Sequence, residues 1–567
     1  MTSVSSTTTA TTSTSTSIAN AATVTTTGNT NSTSINWDTL IESAVAAKTA
    51  RATSIETKIT ANEAKIAAYG ELQDLLATLA DDTEALSSSI INSLSGSAFA
   101  TRAATISSTG DVSASSALSM SIDDGAATGD YALTITQIAT AHKVLGSSVA
   151  DQSTDLGYSG VFSIGTEDGS SAEISVTSSM SLADIADAIN AQASTTAVQA
   201  SIIQVSSDSY QLVLTATVDN AEIVTESVSG TDIMNTLGIT NADGDFADVV
   251  QTAQPAIFTL DGISLTRDTN DITDVLSGVT FSLLQATTSG ATINISIAPD
   301  TDSIATAIET LVTDYNAFRD YVVSQQATSS DGTASSDAVL FGDGTLRDIM
   351  MQIADALNSS SGDLSLADLG LSFDESNNLE FDSSTLATTL SDNLDGVISL
   401  LATRLTTSAS SLTVVNTSTS PPASFTLDIL VDASGTLSSV SVDGDSSLFT
   451  VSGNSIVGAS GTDYAGIAFT YTGSSSQSIT VTSTIGMASL LNSIAENASN
   501  DTDGTLQTLI SDIETQDNTL QEKADAINSA ASTYEANLKV RYAQYQAAIQ
   551  SANSTLDYLE ALLNASD

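Results

Sequence analysis

Proton transfer, nucleophilic attack and metal ligation draw on histidine, cysteine and suitably spaced carboxylates, and this chain is nearly bare of the first two. Its 567 residues include one histidine, His142, and no cysteine. A Ser-His-Asp arrangement would hang on His142 alone, which follows the strand-like residues 131–137 and suits a hydrogen-bonded or solvated position better. Without cysteine there is neither a disulfide framework nor a thiolate metal site. Carboxylates occur everywhere, so no glycosidase-like pair stands out. Asn241-Ala-Asp-Gly-Asp245 and Asp443-Gly-Asp445 loosely resemble calcium loops but lack the full spacing and the terminal Glu, and they read as turns. No glycine motif of the phosphate-cradling or dinucleotide-binding kind occurs. The residues point to no catalytic group, no cofactor and no metal, and away from an enzyme.

Charge and apolar spacing carry the rest of the information. A formal net charge of −54, from 13 Lys and Arg against 67 Asp and Glu, repels phosphate and excludes nucleic acid as a partner. It also disfavours anionic membrane surfaces, and no apolar run is long enough for membrane insertion. Aromatic residues make up only 4%, which suits helical seams and thin β-sandwiches better than a ring-lined pocket. Residues 1–35 are almost all Ser, Thr, Ala and Asn, too polar to bury, and are expected to be a disordered leader. They lack the basic start and apolar stretch of a cleaved signal peptide, so they fit export without cleavage. A chain free of cysteine suits passage in an unfolded state through a narrow channel.

The elements that must position any interaction surface are the two ends. From Trp37 to about Leu94, apolar residues fall at helical spacing, through Leu40, Ile41, Val45, Ile55, Ile59 and Ile66 to Leu86. Asp38 is placed to cap this helix and Gly70 is its weak point. Near the other end, Leu506, Ile510, Ile513, Asp517, Leu520, Ala524, Ile527, Ala531, Tyr534, Leu538, Arg541 and Tyr545 alternate four and three apart. That is a heptad seam broken in character by Asp517 and Arg541, and it continues through Ile549, Leu556, Leu559 and Leu563. Helices this long need partners, so the apolar residues named on both ends are the candidate contact positions.

Between the ends the texture changes. Residues 101–300 carry β-branched alternating runs between Gly, Asp, Asn and Ser turns, interrupted by a short helix that Ser181 caps and that buries Leu182, Ile185 and Ile189. Residues 301–405 turn helical again, with Ile304, Ile308, Leu311, Val312, Tyr315 and Phe318 on one face. Residues 406–484 are β-rich, open with Pro421-Pro422 and have helical flanks, as a folded insert would. The expected fold class is α+β and multidomain. It has long terminal helices forming a coiled coil, a helical/β core domain and β-rich, sandwich-like middle domains. Six segments are expected: a leader (1–35), an N-terminal helical region (36–100), β-rich middle domains (101–300), the core domain (301–405), the insert (406–484) and a C-terminal coiled-coil helix that pairs with the N-terminal helices (485–567).

The order of these pieces, with several strings inside them, resembles the flagellar filament cap family, also called hook-associated protein 2. Trp37-Asp-Thr-Leu-Ile-Glu-Ser-Ala-Val-Ala-Ala47 is similar to the opening of that family's first helix. Gly129-Asp-Tyr-Ala-Leu-Thr-Ile-Thr-Gln-Ile-Ala-Thr-Ala-His-Lys143 is similar to its first β-domain. Leu182 to Asn190, with Val198-Gln-Ala-Ser-Ile202 and Tyr210-Gln-Leu-Val-Leu214, resembles a hook-protein β module. Phe258-Thr-Leu-Asp-Gly262 with Asn270-Asp-Ile272, then Tyr315-Asn316, Leu369-Gly370 and Leu379-Glu-Phe-Asp382, resemble the blocks that follow.

The resemblance covers the chain except the leader and the insert. It implies a secreted protein of the extracellular flagellum, placed at the filament tip and assembled as a homo-oligomer of about four to six copies. Flagellin, the hook-filament junction proteins, the flagellar export apparatus and an export chaperone are the partners it implies. A flagellin-like filament subunit is one alternative. A secreted acidic adhesin or surface-layer protein is the other.

Overall fold

The computed structural model describes residues 36–87, 96–167, 169–288, 290–417 and 421–564. The expected leader, residues 1–35, and the end of the first helical region near Leu94 lie outside them. Among the described residues two compact units are distinguished, one formed by residues 36–63 with 514–564, the other by those within Ala64–Ile513.

The first helix is Trp37–Ser87, unbroken over 51 residues. Its cap is Asn36 rather than Asp38: the Asn36 Oδ1 accepts the Thr39 N–H at 3.2 Å. Asp38 instead sits in the first turn, where a carboxylate favours the positive end of the helix dipole. Gly70 does not break the helix, because Tyr69 and Leu72 on either side are buried in the helical core and hold the backbone in place. A Cβ at Gly70 would meet no atom within 4 Å. Gly70→Ala is therefore expected to stabilise the protein by about 0.5–1 kcal/mol, mainly by restricting the unfolded chain. A higher denaturant midpoint at unchanged slope would verify it.

Residues 101–300 contain two cores. In the first, a five-stranded antiparallel sheet runs in the order Arg102–Ser108, Ile293–Pro299, Gly129–Gln137, Ala256–Leu260, Ile263–Arg267, and Leu133, Ile135, Phe258 and Ile295 are buried in its core. The second core lies in sequence between strands of the first. It combines a four-stranded and a three-stranded sheet with the helix Leu182–Asn190, around Phe162, Ile164, Ile185, Ile189 and Leu214. Ser181 caps that helix in a reciprocal box with Asp184.

The helical core gathers Thr301–Gln325, Gly344–Leu357, Ser383–Leu401 and Met487–Ser499, with the later turns of the first helix and the opening turns of the last one. The β-rich segment after it folds as two four-stranded sheets around Leu427, Phe469 and Ile479, with strands running from Arg404 to Thr484. The C-terminal region is not one helix. Met487–Ser499 belongs to the helical core, and the closing helix, Thr505–Asn564, starts afresh after the turn at Gly504.

Candidate functional site

The two chain ends meet as an antiparallel helix pair. Asn62 pairs with Asp517, Asn528 donates to Glu56, Lys48 lies over the ring of Tyr534, and Trp37 packs on Tyr542 with ring centroids 4.9 Å apart. Numbers rise on one helix as they fall on the other. Ile41 and Ala52 are buried against this seam, as are Ala524, Ala531 and Leu538, while Val45, Ile55, Ile59, Leu520, Ile527 and Tyr534 are half-buried. Leu40 points away and is exposed. Ile66, Leu506, Ile510 and Ile513 pack in the helical core instead of the seam.

Asp517 interrupts the apolar seam, and so does its partner. Ile55, Ile59, Asn62, Ile66 and Tyr69 are spaced four, three, four and three apart, which sets Asn62 on the seam of the first helix. The Asn62 Nδ2 donates to the Asp517 Oδ1 at 2.6 Å, and the other carboxylate oxygen is buried without a partner. A single polar pair in an apolar seam fixes the alignment, because any slip strands both groups among hydrocarbon. The same spacing count, run on both ends together, would have found Asn62 in the sequence.

Beyond Leu538 the heptad reading needs correction. Arg541 is exposed, and the next seam residue is Tyr542, four positions on, which receives Trp37. This is a stutter, a local shift of the stripe by one residue. From Tyr542 the sequence returns to strict alternation through Tyr545, Ile549, Ala552, Leu556, Leu559 and Leu563, all exposed. Leu556 is 60% and Leu559 50% exposed. The first helix begins at Trp37, opposite Tyr542, whereas the closing helix runs on to Asn564, about 33 Å further at 1.5 Å per residue.

The residues first considered for chemistry hold backbone instead. His142 is buried, and its Nδ1 accepts the Ile223 N–H at 3.0 Å while Phe246 meets the ring edge-on. Burial keeps its pKa below the ordinary 6.5, with the Glu222 charge acting the other way. Asn241 bonds the amides of Asp243 and Asp245, and Asp443 and Gly444 take left-handed conformations at a hairpin tip. Both acidic strings are turns.

One titration stands out in the helical core. Asp314 faces Asp82, and burial first, then the hydrogen bond and charge of Asp82, push it from 3.8 up to about 6. Below pH 3.8 both folded and unfolded chains keep this proton. Between 3.8 and about 6 only the folded chain does, so stability falls as pH rises through that window. By linkage a rise of this size corresponds to about 3 kcal/mol, which solvent screening at a half-buried site reduces to about 1 kcal/mol. Asp314→Asn is expected to be that much more stable at pH 7.5, with a flatter profile between pH 4 and 6. Thermal unfolding across that range reads it.

Comparison with known proteins gives the family. The profile described as flagellar hook-associated protein 2 C-terminus matches residues 253–554, more than half of the chain. Its N-terminal counterpart matches residues 33–142, and the flagellin hook IN motif matches residues 161–218. The flagellar hook-associated protein 2 of Escherichia coli (strain K12) is 29% identical over 389 residues, covering 65% of this chain and 78% of the relative. The A-type protein of Pseudomonas aeruginosa is 26% identical over 293 residues, covering 48% of this chain and 61% of the relative. A crystal structure of the flagellar cap protein FliD D1-D2-D3 domains from Escherichia coli aligns at 26% identity with a TM-score of 0.45, over 59% of this chain and 89% of that one. On the extent of the profile match, the chain belongs to the flagellar hook-associated protein 2 family, the caps of the flagellar filament.

Proposed function

We propose that this chain forms a closed ring of about four to six copies at the distal end of the filament and holds exported flagellin while it folds and inserts. The observation that supports this is the closing helix beyond Tyr542, an apolar heptad stripe left exposed past the end of the antiparallel pair. A stripe in that alternation accepts another helix of like construction. Tyr545, Ile549, Leu556, Leu559 and Leu563 are the residues that would meet flagellin or a neighbouring copy. The chain reaches the tip through the flagellar export apparatus. An export chaperone shields the terminal helices inside the cell, and the hook-filament junction proteins receive the first ring. No part of this role asks for a catalytic group. Electron microscopy of the purified protein tests the assembly: closed rings of this size support it, and particles that remain single at high concentration refute it.

A further inference from the structure

An opening in the helical core serves none of the contacts described so far. It lies between the helices Thr301–Gln325 and Gly344–Leu357 and the strand Leu371–Phe373, with a volume of about 380 Å³. Tyr315, Phe318, Met350, Ile353 and Phe373 make its walls apolar, and Phe373 is 40% exposed. Arg319 lines the same space, and its Nε and Nη1 are buried with no hydrogen-bond partner. Guanidinium nitrogens withdrawn from water and left unbonded are destabilising. Their isolation is the more notable in a chain where acids outnumber bases 67 to 13. Asp374, on the neighbouring hairpin, supplies no bond to these nitrogens; its Oδ1 accepts the amides of Ser376 and Asn378.

A carboxylate suits an arginine short of partners better than any other common group, since it accepts charge-assisted hydrogen bonds from the guanidinium. The apolar walls suit a short hydrocarbon stem and would strengthen the ion pair by excluding water. We propose that the opening is a socket for an Asp or Glu side chain of a second copy of this chain, with the carboxylate on Arg319 and the stem against Tyr315, Ile353 and Phe373. This rests on the reading of the chain as a self-assembling ring. Charge complementarity selects the occupant: copies of net charge −54 repel one another, every copy has carboxylates to spare, and Arg319 is a cation with two nitrogens unpartnered within its own chain.

Sedimentation velocity of the full chain, as wild type, Arg319→Gln and Arg319→Lys, tests the socket alongside thermal unfolding of each dilute protein. Arg319→Gln is expected to weaken self-association roughly tenfold or more, the usual scale for losing a charge-assisted bond. Arg319→Lys, which keeps the charge but not the guanidinium, should fall between the two. The melting temperature should stay level or rise in Arg319→Gln, because the monomer loses an unsatisfied cation. A fall of several degrees would show that Arg319 already serves the monomer, and would overturn the socket. Association unchanged in Arg319→Gln overturns it too while leaving the ring intact, whereas a wild type that never associates overturns both. Binding of 3-phenylpropionate that depends on Arg319, with association unaffected, would make a free acid the occupant and the second copy wrong.

Discussion

Truncation after Tyr542 is expected to leave every core folded, abolish filament growth and release flagellin into the medium. Each residue described from Ala543 to Asn564 is exposed, so none of them supports the seam, the helical core or the β modules. Unfolding of the truncated protein should therefore match the full chain within error. The apolar stripe has value only when covered: burying Ile549, Leu556 and Leu559 in a partner would contribute about 1.5–3 kcal/mol each. In the free protein the same stripe is a liability, which argues that it is kept for assembly. Motility of the truncated strain is the decisive measurement, with flagellin in the culture supernatant as its companion. A swimming strain would refute the cap reading of this helix, and a shifted unfolding transition would show that the extension is structural.

Asn316→Ala is expected to destabilise the helical core by about 3 kcal/mol. The Asn316 Nδ2 donates to the Leu379 carbonyl at 2.9 Å, and its Oδ1 accepts the Leu379 N–H at 2.7 Å. One side chain thus stands in for a missing strand beside the hairpin Leu371–Phe373 and Leu379–Phe381. Alanine leaves both backbone groups of a buried residue unsatisfied, at about 1–3 kcal/mol each. Asn316→Asp does not rescue, since a carboxylate accepts the N–H but repels the carbonyl. Chemical denaturation measures the loss, and a change under 1 kcal/mol in Asn316→Ala would mean that water replaces the amide there.

The same device recurs in the two β cores. Asn190 exchanges paired bonds with the Ala200 backbone, and Asn270 does so with Ala139. All three asparagines lie in strings that resemble the cap family, which gives those strings a physical content. An amide that donates and accepts at once locks a helix or loop to a strand, and no residue of similar size does both in that geometry. Leu369-Gly370 has a like explanation. Gly370 has φ +74°, and a Cβ there would collide with the Asp382 carbonyl, so a side chain is excluded twice.

Much of this protein was legible in one dimension because helical and strand periodicity are local. The faces of Thr301–Gln325 and Leu182–Asn190, the Ser181 cap and the long apolar stripes at both ends all follow from residues within a turn or two of one another. The absence of cysteine and the excess of acid are matters of composition alone. What spacing cannot state is which stripe faces which. The seam carries apolar residues along both helices, but only the fold shows that Asn62 meets Asp517, that Trp37 takes Tyr542 and leaves Arg541 in solvent, and that the paired stretch stops there. The same holds for Gly70, whose intrinsic weakness in a helix is about 1 kcal/mol and is outweighed by the burial of Tyr69 and Leu72 beside it. Arg319 lies one residue past the apolar face of its helix and reads as an ordinary solvated base. Two of its guanidinium nitrogens are buried where residues from Gly344–Leu357 and from the hairpin at Phe373 come up beside it, and burial by distant segments is a property no local pattern encodes.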